Sequence, residues 1–213
     1  AAVNEFRIDL KGVQTHGSTP WTGKDPIVTA AQIVNSLQTI VSRNLDLTNE
    51  AAVVTIGRFE SGIRSNIIPE SAYMEGTIRA LDYEMRDEIY KRLKEIVVNT
   101  AKSNNLEAEV ILKTPYPITY NDLKLTDQMK KTLFRVAGEN NVKLARASTG
   151  AEDFSYFANK VPGFFFRLGG MPIEDHPNKG FSHHTPDFYI DDSGLILGVR
   201  AMANLAVDYL NTN

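Results

Sequence analysis

Four stretches of the chain are either rich in Val and Ile or alternate between apolar and polar residues, with the two-residue period of β-strands. In the first stretch Phe6, Ile8 and Leu10 alternate with charged residues, and the others lie at 52–59, 72–80 and 108–113. Such alternation places apolar side chains on one face of a sheet and polar side chains on the other. The pattern therefore predicts four strands.

Two segments between these strands repeat apolar residues every three or four positions, which is typical of amphipathic helices. The first begins at Asp25 and Pro26, a favoured N-cap followed by a residue suited to the first helical turn, and reaches about Arg43. The second follows Asp82 and ends near residues 104–105. The expected core faces are Ile27, Ala30, Ala31, Val34, Leu37 and Val41 in the first helix, and Met85, Ile89, Leu93, Ile96 and Val97 in the second.

The order of these elements over residues 5–113, β-α-β-β-α-β, is that of a ferredoxin-like unit. Such a unit carries a four-stranded antiparallel sheet with two helices on one face. The other face and an edge strand then have to be buried or protected. The sequence predicts an α/β (α+β) fold whose first unit pairs with a second copy to form a homodimer.

Residues 114–213 follow a different pattern. Two prolines within 114–117 predict a linker, and a helix is expected at 127–138. Residues 164–168 predict a strand buried on both faces, and residues 192–210 predict a buried helix. Because one strand cannot form a sheet, we expect this unit to be part of a larger α/β domain whose other strands lie outside the chain.

Composition excludes several classes of protein. The chain has 213 residues, 42% of them hydrophobic, and a net charge of −3, without a basic run suited to nucleic acid. It has no cysteine, which excludes disulfides, thiolate metal ligands and a cysteine nucleophile. No apolar run approaches the roughly 20 residues of a membrane span. The lack of cysteine and of a signal sequence favours a cytoplasmic location, with neither nucleic acid nor membrane as a partner.

Histidine is the residue type in this chain that most directly suggests catalysis or metal binding. Four are present, at positions 16, 176, 183 and 184, and none lies at a spacing typical of metal sites. A complete site needs three or more convergent ligands, so local spacing does not define one. His184 is the leading candidate ligand, His183 and Glu152 are weaker ones, and His176 is expected at the surface. The alternative is that the adjacent pair at 183 and 184 belongs to an ordinary exposed loop.

Six short motifs occur in one order along nearly the whole chain. They are His-Gly-Ser-Thr-Pro at 16–20, Asp-Pro at 25–26, Ser-Asn-Ile-Ile-Pro at 65–69, Glu-Gly-Thr-Ile-Arg at 75–79, Gly-Ala-Glu-Asp-Phe at 150–154 and His-Thr-Pro at 184–186. The series resembles the M20 metallopeptidase and amidohydrolase family, in particular its branch of N-acyl amino acid and hippurate-type amidohydrolases. Each motif is weak alone, and the order of all six is specific.

The resemblance implies a domain organisation. In that family a ferredoxin-like lid and dimerisation domain is inserted into a zinc-peptidase-like α/β catalytic domain. Residues 5–113 resemble the lid, and residues 114–213 resemble the C-terminal part of the catalytic domain. The N-terminal part, which brings most metal ligands and the catalytic glutamate in the family, has no counterpart here. We therefore expect the chain to be a fragment that is inactive alone.

The resemblance also implies roles for two histidines. His184 matches the last metal-binding histidine of the family, and the expected cofactor is a divalent ion, zinc, manganese or cobalt, with two ions in a full-length subunit. His16 matches a catalytic lid histidine that reaches the site of the neighbouring subunit and stabilises the oxyanion. Metal-activated water and a hydrogen-bond donor at the oxyanion are a coherent means of amide hydrolysis.

Four further residues are implied to bind substrate. Asn66 and Arg79 match lid positions that hold the carboxylate side of the substrate, and Gly150 and Glu152 match a loop that lines the metal pocket. The predicted function is metal-dependent hydrolysis of an amide bond in N-acyl amino acids or small peptides. The alternative is a non-catalytic dimeric binding module, in which Asn66 only forms a turn and Arg79 is a solvated charge.

Overall fold

A computed structural model describes residues 1–171 and 183–212 of the chain. These residues form two compact units. The first unit comprises residues 1–119 and 147–156, and the second comprises residues 120–146 and the described residues from 157 onward. The segment at 147–156 thus returns to the first unit after the chain has entered the second.

The first unit contains a four-stranded sheet of β1 (Ala2–Lys11), β3 (Ala52–Ser61), β5 (Ser71–Ala80) and β6 (Glu107–Tyr116). Their order in the sheet is β3-β5-β1-β6, and every neighbouring pair is antiparallel. The two central strands, β1 and β5, run side by side along their whole length. Two helices follow the first and third strands of this sheet, so the ferredoxin-like prediction is confirmed. The unit also contains β2 Thr15–His16, α1 Pro26–Thr39, β4 Ile67–Ile68 and α2 Tyr83–Ser103. A short helix, α4 Phe154–Ala158, begins in this unit, and its last two residues are assigned to the second unit.

The predicted helix starts are confirmed at atomic detail. The Asp25 side chain accepts hydrogen bonds from the backbone N–H groups of Ile27 and Val28, at 2.8 and 3.2 Å. The Asp82 side chain accepts one from Met85 N–H at 2.8 Å. Each cap satisfies donors that the first turn leaves without an intrahelical partner.

The core of the first unit lies between the sheet and the helices α1 and α2. Ile8 and Leu10 point into it from β1, as the alternation predicts. The predicted face of α2 is confirmed. The predicted face of α1 is confirmed in part: Ala30 and Leu37 are buried and Val34 and Val41 pack against the core, whereas Ile27 and Ala31 are exposed. The residues that α1 buries are Pro26, Thr29, Ala30, Ile33 and Leu37.

The last strand, β6, continues to Tyr116 through a segment whose prolines predicted a linker. Pro115 fits there because β6 is an edge strand, where one missing N–H donor disturbs no central pairing. The proline therefore does not end the strand.

The second unit is built around two helices, α3 Leu123–Ala137 and α5 Leu195–Thr212. Asp122 caps α3 by accepting a hydrogen bond from Leu125 N–H at 2.8 Å, so this helix begins four residues before its predicted start. Polar contacts join the two helices in antiparallel order: Gln128 with Thr212, Thr132 with Asp208, and Arg135 with Asn204 and Asp208.

Two predictions for this unit are wrong. Residues 164–168 form no strand, and the three phenylalanines among them are only half-buried. The backbone of Phe165 is instead bonded in both directions by the side-chain amide of Asn121, at 2.8 Å each. α5 is mostly exposed rather than buried, with Ala201 its one buried residue. No helix in the described part of the chain, α5 included, is suited by length and apolar character to cross a bilayer.

Candidate functional site

A short two-stranded ribbon brings two of the predicted site residues together. β2 pairs with β4 so that His16 lies opposite Ile67 and Thr15 opposite Ile68. Gly17 N–H then donates to the carbonyl oxygen of Asn66 at 2.8 Å. His16 is the last residue of β2 and Asn66 directly precedes β4, so the two residues lie close together although they are 50 positions apart. We call this end of the first unit the His16 end.

The loop that carries His16 is fastened at its base. Val13 and Lys24 exchange two backbone hydrogen bonds of 3.0 Å, which close the loop into a ring. Gly12 N–H donates to the carbonyl of Glu70 at 2.8 Å, just outside β5. The His16 end is thus a defined extension of the main sheet, anchored where β1 ends and β5 begins.

The His16 side chain is exposed, and its ring contacts come from its own loop. Its Nδ1 atom lies 2.7 Å from the Ser18 hydroxyl and 3.1 Å from the Ser18 backbone nitrogen. The His16 carbonyl accepts a hydrogen bond from Thr19 N–H at 2.9 Å. Ring and backbone are both held, while the Nε2 edge makes no hydrogen bond to any residue that the structure describes.

Arg79 and Gly150 mark the opposite end of the sheet, which we call the Arg79 end. Arg79 is half-buried on β5, where it lies opposite Val3 of β1 and Val53 of β3. The amino group of Ala1 donates to the carbonyls of Gly150 and Ser148 at 2.8 and 3.1 Å. The loop that contains Gly150 is therefore bound to the start of β1, beside the end of β5.

Glu152 follows in the same loop, directly before α4. Its side chain is half-buried, and its carbonyl accepts a hydrogen bond from Ser155 N–H at 3.1 Å. The prediction of a helix start at this loop is confirmed, because α4 begins at Phe154.

The length of β5 separates the two ends. Ser71 begins the strand next to the His16 end, and Arg79 lies eight residues further along it. At about 3.3 Å per residue these positions are roughly 26 Å apart. Within one subunit, therefore, the His16 end and the Arg79 end cannot meet around the same small molecule.

His184 belongs to the second unit and has an unusual backbone conformation. Its φ angle is +65°, in the left-handed region that few residues other than Gly, Asn, Asp and His adopt. Phe188 N–H donates to Thr185 C=O at 3.1 Å and closes a turn, and the His183 ring packs 4.8 Å from the ring of Phe188. The signal for the turn was Pro186, which suits its second position. No sequence signal indicated the conformation of His184, and His176 lies outside the described residues.

The described residues do not supply a complete metal site. Among residues 1–171 and 183–212, no group of three or more His, Asp or Glu side chains converges closely enough to hold an ion. His184 is exposed and can offer one imidazole. The candidate ligands among the described residues are therefore too few to hold a metal ion by themselves.

The open face of the sheet carries a charge network that the sequence did not predict. Glu75 bridges Arg7 and Arg58, and the ring of Tyr73 lies under both guanidinium groups, 4.3 and 5.1 Å from them. A hydrogen bond from Tyr73, and then one from Arg58, lowers the pKa of the Glu60 carboxyl, and the same bond to Glu60 raises the pKa of Tyr73. These charges are mutually paired and keep this face of the sheet polar.

Comparison with known proteins identifies relatives along the whole chain. Residues 3–105 match the peptidase dimerisation domain of the M20 family. The chain is 35% identical to thermostable carboxypeptidase 2 of Saccharolobus solfataricus, over 99% of this chain and 52% of that protein. It is 33% identical to N-acetylcysteine deacetylase of Bacillus subtilis, over 100% of this chain and 53% of that protein.

A solved structure shares the fold. The YXEP protein of Bacillus subtilis, described as a dinuclear metal binding peptidase from the M20 family, matches with a TM-score of 0.75 and 28% identity. The match covers 100% of this chain and 51% of that one. The chain thus spans about half the length of the curated relatives that it matches.

Proposed function

Since the chain belongs to the M20 peptidase family, we propose that the whole protein hydrolyses an amide bond in an N-acyl amino acid or a small peptide. Relatives named as a carboxypeptidase and as a deacetylase support this class of reaction. Both kinds of substrate leave an amino acid on one side of the scissile bond.

We propose that the active site is shared between two subunits of a homodimer. The observation that carries this proposal is the separation of the His16 end from the Arg79 end along β5. A two-fold axis presents the same surface of both subunits to each other, so the His16 end of one copy can meet the Arg79 end of the other. The match to a dimerisation domain supports the pairing.

In this arrangement each residue has a chemical role. Nε2 of His16 donates a hydrogen bond to the oxyanion that develops on the scissile carbonyl. Asn66, beside it, and the Arg79 guanidinium hold the carboxylate side of the substrate, and an arginine can do so with two parallel hydrogen bonds. Gly150 and Glu152 line the pocket from the loop bound to β1.

We further propose that His184 supplies one ligand to a divalent-metal site, zinc, manganese or cobalt, with two ions in each full-length subunit. The remaining ligands would come from outside the described residues, and the name of the YXEP structure supports metal use among relatives. Purified alone, the 213-residue chain should bind such ions weakly and turn over no N-acyl amino acid. A cytoplasmic location remains a prediction from composition.

The second candidate is a non-catalytic dimeric binding module, which the lack of a metal cluster among the described residues favours. Mixed dimers of the whole protein decide between the two. His16→Ala and Arg79→Ala should each lower kcat/KM, His16→Ala by roughly a hundred- to a thousandfold in kcat, as for loss of one oxyanion donor. Mixing the two variants should restore part of the activity, because one site of each heterodimer then has both residues intact.

The matched control mixes His16→Ala with Asn66→Ala. Both residues lie at the His16 end, so every site of that heterodimer lacks one of them and no activity should return. His16→Ala mixed with His184→Ala should recover activity as the Arg79→Ala mixture does. Equal recovery in all mixtures, or none in any, would contradict the shared site, and a whole protein without hydrolytic activity would favour the binding module.

A further inference from the structure

The contacts around His16 define which of its ring nitrogens carries the proton. The Ser18 backbone nitrogen lies 3.1 Å from Nδ1 of His16, and the Ser18 hydroxyl lies 2.7 Å from the same atom. A backbone N–H can only donate a hydrogen bond, so Nδ1 has to be the acceptor. In a neutral imidazole that accepts at Nδ1, the proton is on Nε2.

The backbone that delivers this N–H is fixed on both sides. Before it, Gly17 N–H is bonded to Asn66 C=O, and a side chain at Gly17 would crowd the Asn66 backbone at 3.2 Å. After it, Thr19 N–H is bonded to the His16 carbonyl at 2.9 Å. Ser18 N–H is therefore held against the ring by the ribbon itself, and the hydroxyl adds a second donor at the same nitrogen.

We propose that Ser18 is a positioning residue that locks His16 in the Nε2–H tautomer. The exposed Nε2 atom is then a hydrogen-bond donor and has no lone pair with which to take a proton. In this tautomer the exposed Nε2–H of His16 can donate a hydrogen bond to an oxyanion but cannot act as a general base. This consequence for catalysis rests on the proposed hydrolytic function, whereas the tautomer is a property of the 213-residue chain alone.

The tautomer can be measured directly in this chain with ¹⁵N-labelled histidine. Two-bond ¹H–¹⁵N correlation spectra at about pH 8.5, well above the ordinary histidine pKa of about 6.5, distinguish protonated from unprotonated ring nitrogens. The His16 signals are those that disappear in His16→Ala. We expect an unprotonated, hydrogen-bonded Nδ1 and a protonated Nε2.

Ser18→Ala and Ser18→Thr test the role of the hydroxyl. Ser18→Ala removes one of the two donors, so the two ¹⁵N shifts of His16 should move toward each other as the second tautomer becomes populated. Ser18→Thr keeps a hydroxyl at the same position and should restore the wild-type shifts. A protonated Nδ1 in the wild-type chain would overturn the proposal, and so would a folded Ser18→Ala chain with unchanged His16 shifts.

In the whole protein, Ser18→Ala should lower kcat by roughly three- to tenfold, the range expected for one hydrogen bond, with little change in KM. Ser18→Thr should recover most of that loss. If the whole protein hydrolyses no amide, the proposed function fails while the spectra still decide the tautomer. If it is active and Ser18→Ala changes KM rather than kcat, Ser18 does not act through His16.

Discussion

The two units bury their apolar residues to very different extents. In the first unit Ile8, Ile33 and Leu93 are completely buried between the sheet and its two helices. In the second unit one face of α5 is largely exposed. Its exposed apolar side chains are Leu195, Ile196, Val199, Met202, Val207 and Leu210. A sheet with two helices closes a core of its own, whereas two helices without a sheet leave apolar surface in water.

The difference extends to what holds each unit together. The first unit depends on apolar burial, which scales with the area removed from water. α3 and α5 of the second unit are joined by side-chain hydrogen bonds, with Asp208 accepting from both Thr132 and Arg135 at 2.6 Å. The first unit therefore has an apolar core of its own, whereas α5 keeps an exposed apolar face among the described residues.

The strongest test of this difference in burial is the truncation of one large side chain in the core of the first unit. Leu93→Ala should lower the free energy of unfolding by about 2–5 kcal/mol, because the change leaves a cavity at a fully buried site on α2. Urea unfolding followed by far-UV circular dichroism, with hydrogen exchange of the β5 amides, measures the loss.

Leu210→Ala is the matched change in the second unit. The same atoms are removed from a side chain that is 76% exposed, so the expected change is within about 0.5 kcal/mol. Similar losses in the two variants would mean that α5 is buried in this chain, and the contrast between the units would be wrong.

A smaller effect than that of Leu93→Ala is expected at Gly76, where the sheet leaves no room for a side chain. A methyl group at Gly76 would overlap the carbonyl oxygen of Thr55 and the ring of Phe6. Gly76→Ala should therefore destabilise the unit by about 1–3 kcal/mol, the usual cost of overpacking. Gly57→Ala, on the edge strand β3, is the control, because a methyl there meets no atom within 4 Å. Thermal unfolding should separate the two variants, and equal melting temperatures would show that the sheet yields at Gly76.

The first unit was predictable because its local signals agree with its tertiary structure. Strand alternation, the two aspartate caps and the apolar face of α2 all appear where the sequence places them. The predicted face of α1 was too wide because the helix carries apolar residues on two faces, and Ile27 and Val28 remain exposed. Periodicity alone does not distinguish a face that meets the sheet from one that does not.

The second unit was less predictable for a physical reason. A run such as 164–168 reads as a buried strand only if neighbouring strands are present to pair with it. The described residues of that unit contain no such neighbouring strand. The Asn121 side chain instead makes the hydrogen bonds of the Phe165 backbone N–H and C=O groups. The helix α5 was mispredicted for a similar reason. Its apolar composition indicates burial, but composition does not show which part of the molecule would pack against it.

Motif order predicted a set of candidate site residues, but their geometry could not be predicted from the sequence. Motif order pointed to His16, Asn66 and Arg79, yet β2 and β4 have two residues each and are too short to produce a period in the sequence. The pairing that brings His16 to Asn66, and the distance that separates both from Arg79, follow only from the fold. The contact of Ser18 with Nδ1 of His16 likewise has no signature in composition or spacing.

Asp208→Asn should give a smaller effect than Leu93→Ala or Gly76→Ala, and one that depends on pH. The hydrogen bond from Thr132, and then that from Arg135, holds the pKa of the Asp208 carboxyl below its usual range. The folded unit therefore binds fewer protons there than the unfolded chain does. The resulting stability is present above about pH 4, the ordinary Asp value, and is lost as the pH falls through the lower folded-state pKa.

The measurement is the Tm of the wild-type chain and of Asp208→Asn between about pH 7 and pH 2.5. Wild type should melt at the higher temperature near neutrality, and the gap should close on acidification. Asp127→Asn is the control: Lys130 on the same helix lowers the pKa of Asp127, so its loss breaks no contact between helices. A gap that stays constant or widens toward acid pH would mean that Asp208 does not stabilise the helix pair as a carboxylate. The second unit would then be held by apolar contacts, as the first unit is.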